Sequence, residues 1–168
     1  MHESFGFIHR DIKPENVLLS APSKPSSTKK QVVWDDPDFC DNAVIKLCDL
    51  GLSKPIEMEG TATCVGTASF MCPEIYLGQS YDFKADVWAL GSLTWELLTG
   101  VRIMEFYDPS KKAIDEKFIS GLLYLPQLDR CSLELVDFLS SCLQFDPCKR
   151  ASIPEVLKHP YLTLSMAE

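Results

Sequence analysis

IHRDIKPENVLL, residues 8–19, places His9, Arg10, Asp11, Lys13 and Asn16 in a short run between apolar flanks. An acid, a base and an amide this close together suit a site that accepts a proton and holds a charged group. Each residue alone has a plainer reading. Asp11 could be a turn residue, Lys13 a solvated charge and Asn16 a cap. Only the combination points to chemistry.

Outward from this stretch, VLL (17–19) and VIKLC (44–48) are short apolar runs of strand type. The segment between them, residues 20–43, is rich in Ser, Pro and Lys and then in Asp, which predicts an inserted, flexible surface loop. Ser20, Ser23, Ser26, Ser27 and Thr28 lie beside Lys24, Lys29 and Lys30 and could be modified, although a solvated linker is the simpler reading. From residue 82 the pattern becomes helical. In DFKADVWALGSLTWELLTG, Val87, Leu90, Thr94 and Leu97 recur at three- and four-residue steps, and Trp88, Trp95 and Leu98 widen the stripe. Such a stripe predicts a helix buried on most sides, ended by Gly100. Ser132 can cap a further helix carrying Leu133, Val136, Leu139 and Leu143, and Ser152 with Glu155 has the spacing of a capping box. The expected fold class is mainly α, of α+β type, with short strands around the opening motif.

The 168 residues fit one domain with a real core. A net charge of −8 leaves no basic footprint for nucleic acid, and no apolar run approaches the ~18 residues of a membrane span. Seven cysteines, an odd number without a CxxC pair, suggest free thiols in a reducing compartment, cytoplasmic or nuclear. Zinc-ligand spacing is missing.

The opening stretch resembles the H-R-D-x-K-x-x-N catalytic loop of eukaryotic serine/threonine protein kinases. CDLG (48–51) is similar to the family's D-F-G, with Leu50 for Phe, and GTASFMCPE (66–74) resembles its substrate-facing loop and A-P-E, with Cys72 for Ala. DVWALG (86–91) resembles the start of the central helix, and DPCKRAS (146–152) the D-P-x-x-R segment. The resemblance covers residues 1–162, leaving 163–168 as a tail.

The resemblance implies phosphoryl transfer from ATP with Mg2+ to Ser/Thr hydroxyls of protein substrates. Asp11 would orient the hydroxyl and accept its proton, and Lys13 would stabilise the phosphoryl oxygens. Asn16 and Asp49 would hold the metal, with Leu18 beneath the adenine. Thr67 would engage Asp11 and Lys13. Thr63 would receive an activating phosphate from another kinase, with Arg10 and Lys54 as its cationic pocket. His9, Asp86 and the pair Glu74–Arg150 would support the site. The glycine-rich loop, the strand lysine and the helix glutamate of the family are not found in these residues, so the reading is a C-terminal lobe with the N-lobe absent, expected to be inactive alone. Leu18 and Leu50 would then be left exposed. The alternative is a non-catalytic truncated lobe acting as a binding or regulatory module.

Overall fold

The computed structural model describes residues 6–20, 43–55, 65–106 and 115–164. Thr63, residues 21–42 of the expected loop and residues 165–168 of the tail lie outside the described residues.

Two small antiparallel sheets carry the first part of the chain. Strand β1 (Phe7–Ile8) pairs with β4 (Lys54–Pro55), Ile8 opposite Lys54. Strand β2 (Val17–Ser20) pairs with β3 (Val44–Leu47), with Val17 opposite Leu47 and Leu19 opposite Ile45. Directly paired residues share a face. Val17, Leu19, Ile45 and Leu47 therefore line one side of this ribbon. Only its Val17 end reaches the interior, against Phe70, Ala89 and Leu93. Ile45 is 70% exposed and Leu18, on the other face, 51%. The strand expected over 44–48 runs from Val44 to Leu47, and the pairing carries on one residue further as a single hydrogen bond, the Cys48 amide donating to the Asn16 carbonyl at 2.9 Å.

Helices form the rest. Helix α1 (Pro73–Tyr76) is a single turn with Pro at its start, and α2 (Lys84–Thr99) is the central element. Then follow α3 (Glu116–Leu122), α4 (Leu133–Cys142), α5 (Ile153–Leu157) and α6 (Pro160–Leu164). The sequence's punctuation marks are visible as geometry. Gly100 closes α2 in the left-handed region at φ 71°, which suits a residue without a side chain. The Ser132 side chain accepts from the Leu135 amide, and Ser152 with Glu155 forms a capping box.

Helix α2 buries Val87, Trp88, Ala89, Gly91, Ser92, Leu93 and Trp95. Leu97, expected on the stripe, is 73% exposed, because it falls in the last turn. The core joins α2 to α4 through Val87, Trp95, Phe138, Leu139 and Cys142. At Gly91 the two helices come so close that a Cβ would lie 2.8 Å from the Cys142 Cβ. Any side chain there would push the helices apart. Burial pushes the Cys142 thiol up to about 11. Burial and the neighbouring Glu74 charge push the Cys72 thiol higher still, so both stay protonated and inert.

Candidate active site

The site begins with an anchored backbone. Asp86, in the first turn of α2 and buried, accepts from the His9 amide at 2.7 Å and the Arg10 amide at 2.9 Å. Both donors belong to the irregular stretch after β1, which has no ladder of its own to satisfy them. One carboxylate thus ties the stretch to the helical core. Arg10 sits at φ 70°, a conformation that costs a non-glycine residue about 1–3 kcal/mol and persists only when its surroundings enforce it. Asp86 enforces it from the backbone side. The Arg10 guanidinium enforces it from the other, donating to the Leu52 carbonyl and to the Tyr81 hydroxyl.

His9 is fully buried. Its Nδ1 accepts from the Asp11 amide at 3.3 Å, which leaves Nε2 to donate to the Cys48 carbonyl at 3.1 Å. The ring therefore links the stretch carrying Asp11 to the residue before Asp49.

The chemistry-bearing groups converge on the Asp11 carboxylate. Asn16 Nδ2 donates to Asp11 Oδ2 at 2.9 Å and to the Asp11 carbonyl at 2.8 Å. Lys13 Nζ lies 2.7 Å from Asp11 Oδ2. From 56 residues away in sequence, Thr67 donates to Asp11 Oδ1 with both its amide (3.1 Å) and its hydroxyl (2.9 Å), and Lys13 Nζ donates to the same hydroxyl at 2.8 Å. Burial alone would raise the Asp11 pKa, but bonds from Lys13, Thr67 and Asn16 outweigh it and hold the carboxyl below its ordinary value. Asp11 is an anion at neutral pH, ready to accept a proton or orient a hydroxyl.

Gly66 makes the approach of Thr67 possible. It adopts φ 106°, and a Cβ there would lie 2.4 Å from the Arg10 carbonyl oxygen. Only glycine lets the two segments touch at this point. Three residues beyond Thr67, Phe70 plugs into Ala89 and Leu93 of α2, so the second segment is anchored to the same helix as the first.

Asn16 and Asp49 supply hard oxygens of the kind Mg2+ prefers. Both bonds that Asn16 makes within the loop use its amide nitrogen, which leaves the amide oxygen for a cation. Asp49 sits at φ 63° with Oδ1 accepting from the Gly51 amide at 3.1 Å. Among the described residues no three His, Cys, Asp or Glu side chains converge.

Glu74 and Arg150 form a fully buried, bidentate pair at 2.7 and 2.9 Å. Arg150 also reaches the Lys84 and Gln144 carbonyls and lies 5.1 Å over the Trp88 ring. Lys54 pairs opposite Ile8 on β4. Leu18 lies on β2 with its side chain half exposed, and Leu50 is 61% exposed. Several partners had no signal in the sequence. The Tyr81 hydroxyl on Arg10 and the contact of Arg102 with Glu15 join residues 71 and 87 positions apart, a separation no local pattern spans.

Comparison with known proteins gives a consistent picture. The family model for the protein kinase domain matches residues 1–162. Serine/threonine-protein kinase srk1 of Schizosaccharomyces pombe is 35% identical over 178 residues, covering 97% of this chain and 30% of that protein. Serine/threonine-protein kinase Nek9 of Xenopus laevis is 34% identical over 162 residues, covering 94% of this chain and 15% of that protein. Calcium/calmodulin-dependent protein kinase type IV of Mus musculus is 33% identical, covering 97% of this chain and 31% of that protein. The chain thus spans less than a third of the length of each of these relatives. No helix among the described residues is long and apolar enough to cross a membrane. With a match over nearly its whole length and an Asp11–Lys13–Asn16–Thr67 cluster at its centre, this chain belongs to the protein kinase domain family.

Proposed function

We propose that this chain carries the catalytic-lobe half of a serine/threonine protein kinase, residues 1–162, with 20–43 as an insert and 163–168 as a tail. The reaction is phosphoryl transfer from ATP with Mg2+ to a protein Ser or Thr hydroxyl. The observation that carries this reading is the Thr67 hydroxyl, which donates to Asp11 and accepts from Lys13. That is the hydrogen-bond pattern an acceptor hydroxyl needs: a carboxylate for its proton and a cation beside the oxygen that will bond to phosphorus.

Asp11 accepts the proton and orients the nucleophile. Lys13 would offset the negative charge that grows on the phosphoryl oxygens, and Asn16 and Asp49 would hold the metal through their oxygens. Bound Mg2+ would supply positive charge against that of the phosphates. Leu18 offers an apolar surface to the adenine. Asp86 positions Asp11 by fixing the two residues before it. Thr63 is the proposed activating phosphosite. A phosphate there would add about −1.5 to −2 charges, which Arg10 and Lys54 would receive as its cationic pocket. Protein substrates and an activating kinase are the partners this implies.

None of these 168 residues matches the family's glycine-rich loop or strand lysine, so within them alone the phosphates of ATP would meet only one wall. The 168 residues alone are expected to transfer negligible phosphate. Fused behind the phosphate-covering half of a related kinase, the chain should label a generic protein substrate with ATP, and Asp11→Asn should abolish the labelling. A fused, folded protein whose labelling is unaffected by Asp11→Asn would overturn the assignment. The exposed side chains of Leu18, Ile45 and Leu50 favour a second reading, in which this lobe engages another polypeptide without catalysing.

A further inference from the structure

The segment carrying Thr67 is held by anchors of two kinds. Thr67 holds to Asp11, a carboxylate that the proposed reaction also has to use. The other anchors touch groups outside the chemistry: Gly66 rests against the Arg10 carbonyl, and Phe70 is sunk against Ala89 and Leu93. To these the structure adds the Tyr76 hydroxyl, which donates to the Ala68 carbonyl at 2.8 Å. Ala68 follows Thr67, is exposed, and opens the short 3-10 turn Ala68–Phe70. The backbone donor to its carbonyl is the Met71 amide at 3.3 Å, beyond the usual N–H···O range. The Tyr76 bond has the ordinary length for a hydroxyl donor, so the side chain makes the better bond of the two. Thr67 precedes the turn and makes no capping bond to it, because its hydroxyl is committed to Asp11.

Tyr76 can serve as a fixed point because its own helix is fixed. In α1, Glu74 is bound bidentately by Arg150, and Ile75 is buried beside it. Tyr76 itself is 42% exposed, so its hydroxyl can be removed without opening the core. It also lies outside every motif that marks the family in this sequence. Building on the kinase reading above, we propose that Tyr76 is a positioning residue for the protein substrate: it passes the fixed position of α1 to the segment that an acceptor polypeptide has to meet. A substrate hydroxyl competes with Thr67 for the Asp11 oxygens, whereas nothing in the reaction competes for the Ala68 carbonyl. The Tyr76 bond therefore keeps the segment in place while Asp11 is engaged. Without it the segment spends less time in its binding-competent form, and apparent substrate affinity falls by that fraction.

Tyr76→Phe removes the donor and keeps the ring. In the 168-residue chain, amide exchange at Thr67, Phe70 and Met71 should accelerate about fivefold, as expected for one lost hydrogen bond, while Leu139 in α4 and the His9 amide bound by Asp86 stay unchanged. Replacing Tyr76 with para-aminophenylalanine, which still donates, should restore the wild-type exchange. These measurements need no activity, so they judge the tether whether or not the Asp11-dependent labelling succeeds. In the fused kinase, Tyr76→Phe should raise the KM for the protein substrate about fivefold and leave kcat and the KM for ATP within about twofold, whereas a mere loss of folded protein would lower kcat alone. Exchange that is unchanged, or accelerated equally at Leu139, would overturn the proposal. So would an unchanged substrate KM in a fused protein that labels.

Discussion

The two halves of this molecule hold their shape by different means. From Lys84 onward, helices α2, α4 and α5 bury Val87, Trp95, Leu139 and Val156 around a common centre and close it with the Glu74–Arg150 pair. The strand-bearing half has two-stranded ribbons in which only Ile8 and Val17 reach the interior, while Leu18, Leu19, Val44, Ile45 and Leu47 are exposed. Such ribbons are marginal by themselves. What orders the catalytic stretch is a set of tethers to the helical half: the Asp86 carboxylate under His9 and Arg10, the Phe70 plug between Ala89 and Leu93, and the Gly66 contact. The candidate site groups sit in the half with little core of its own, and their geometry is borrowed from the half with much.

The sharpest way to break the helical half is through its buried ion pair. Glu74→Ala leaves the Arg150 guanidinium buried without its carboxylate, at a cost of about 3–5 kcal/mol. Urea denaturation followed by far-UV circular dichroism should show the midpoint fall with little change in slope. A loss below 1 kcal/mol would mean that the Gln144 and Lys84 carbonyls suffice for Arg150.

Next in size is the tether. Asp86→Ala strips acceptors from two backbone amides, at about 1–3 kcal/mol for a buried donor left unsatisfied. The expected signature is local. Amide exchange of His9 and Arg10 should accelerate far more than that of Leu139 in α4. Uniform acceleration would show that the two halves unfold as one unit.

Acid should separate the halves more gently. Burial raises the Glu74 pKa, but the Arg150 hydrogen bonds and charge outweigh it, and the carboxyl lies below its ordinary value near 4.5. A depressed folded-state pKa means the unfolded chain binds protons first as pH drops. The stabilisation is therefore complete above about pH 4.5 and is lost as pH falls through the folded value. Stability measured between pH 6 and pH 3 should fall more steeply in wild type than in Glu74→Gln, which has nothing to titrate there. Asp11, also held low, should add a parallel contribution that Asp11→Asn removes.

The smallest effect belongs to the ribbon. Ile45→Thr replaces a mostly exposed side chain on β3 and should change stability by no more than about 0.5 kcal/mol, while making the protein less prone to self-associate, as light scattering would report. A larger loss would reveal an apolar partner covering this face in solution.

Local patterns in the sequence carried the helix ends at Gly100, Ser132 and Ser152, because caps act within four residues of one another. The strands at 17–20 and 44–47 and the residue types of the site were legible for the same reason, since VLL, VIKLC, HRDIKPEN and CDLG are contiguous, whereas the two-residue strands β1 and β4 carried no such run. The stripe on α2 was read only in part. Trp88 and Trp95 are buried as periodicity suggested, whereas Leu97 faces solvent, because whether a helical face is covered depends on where its neighbours end.

What residue types alone determined about this protein was its chemistry: a carboxylate, an ammonium and an amide on one short loop, a second carboxylate on another, and a family to which that order belongs. The tertiary structure decided what those groups meet. It brought Thr67 onto Asp11, set Asp86 beneath the loop backbone, and joined Arg102 to Glu15 and Glu96. Hydrogen bonds and ion pairs act only over a few ångströms, so their partners are chosen by how α2 packs and where the chain turns back after it.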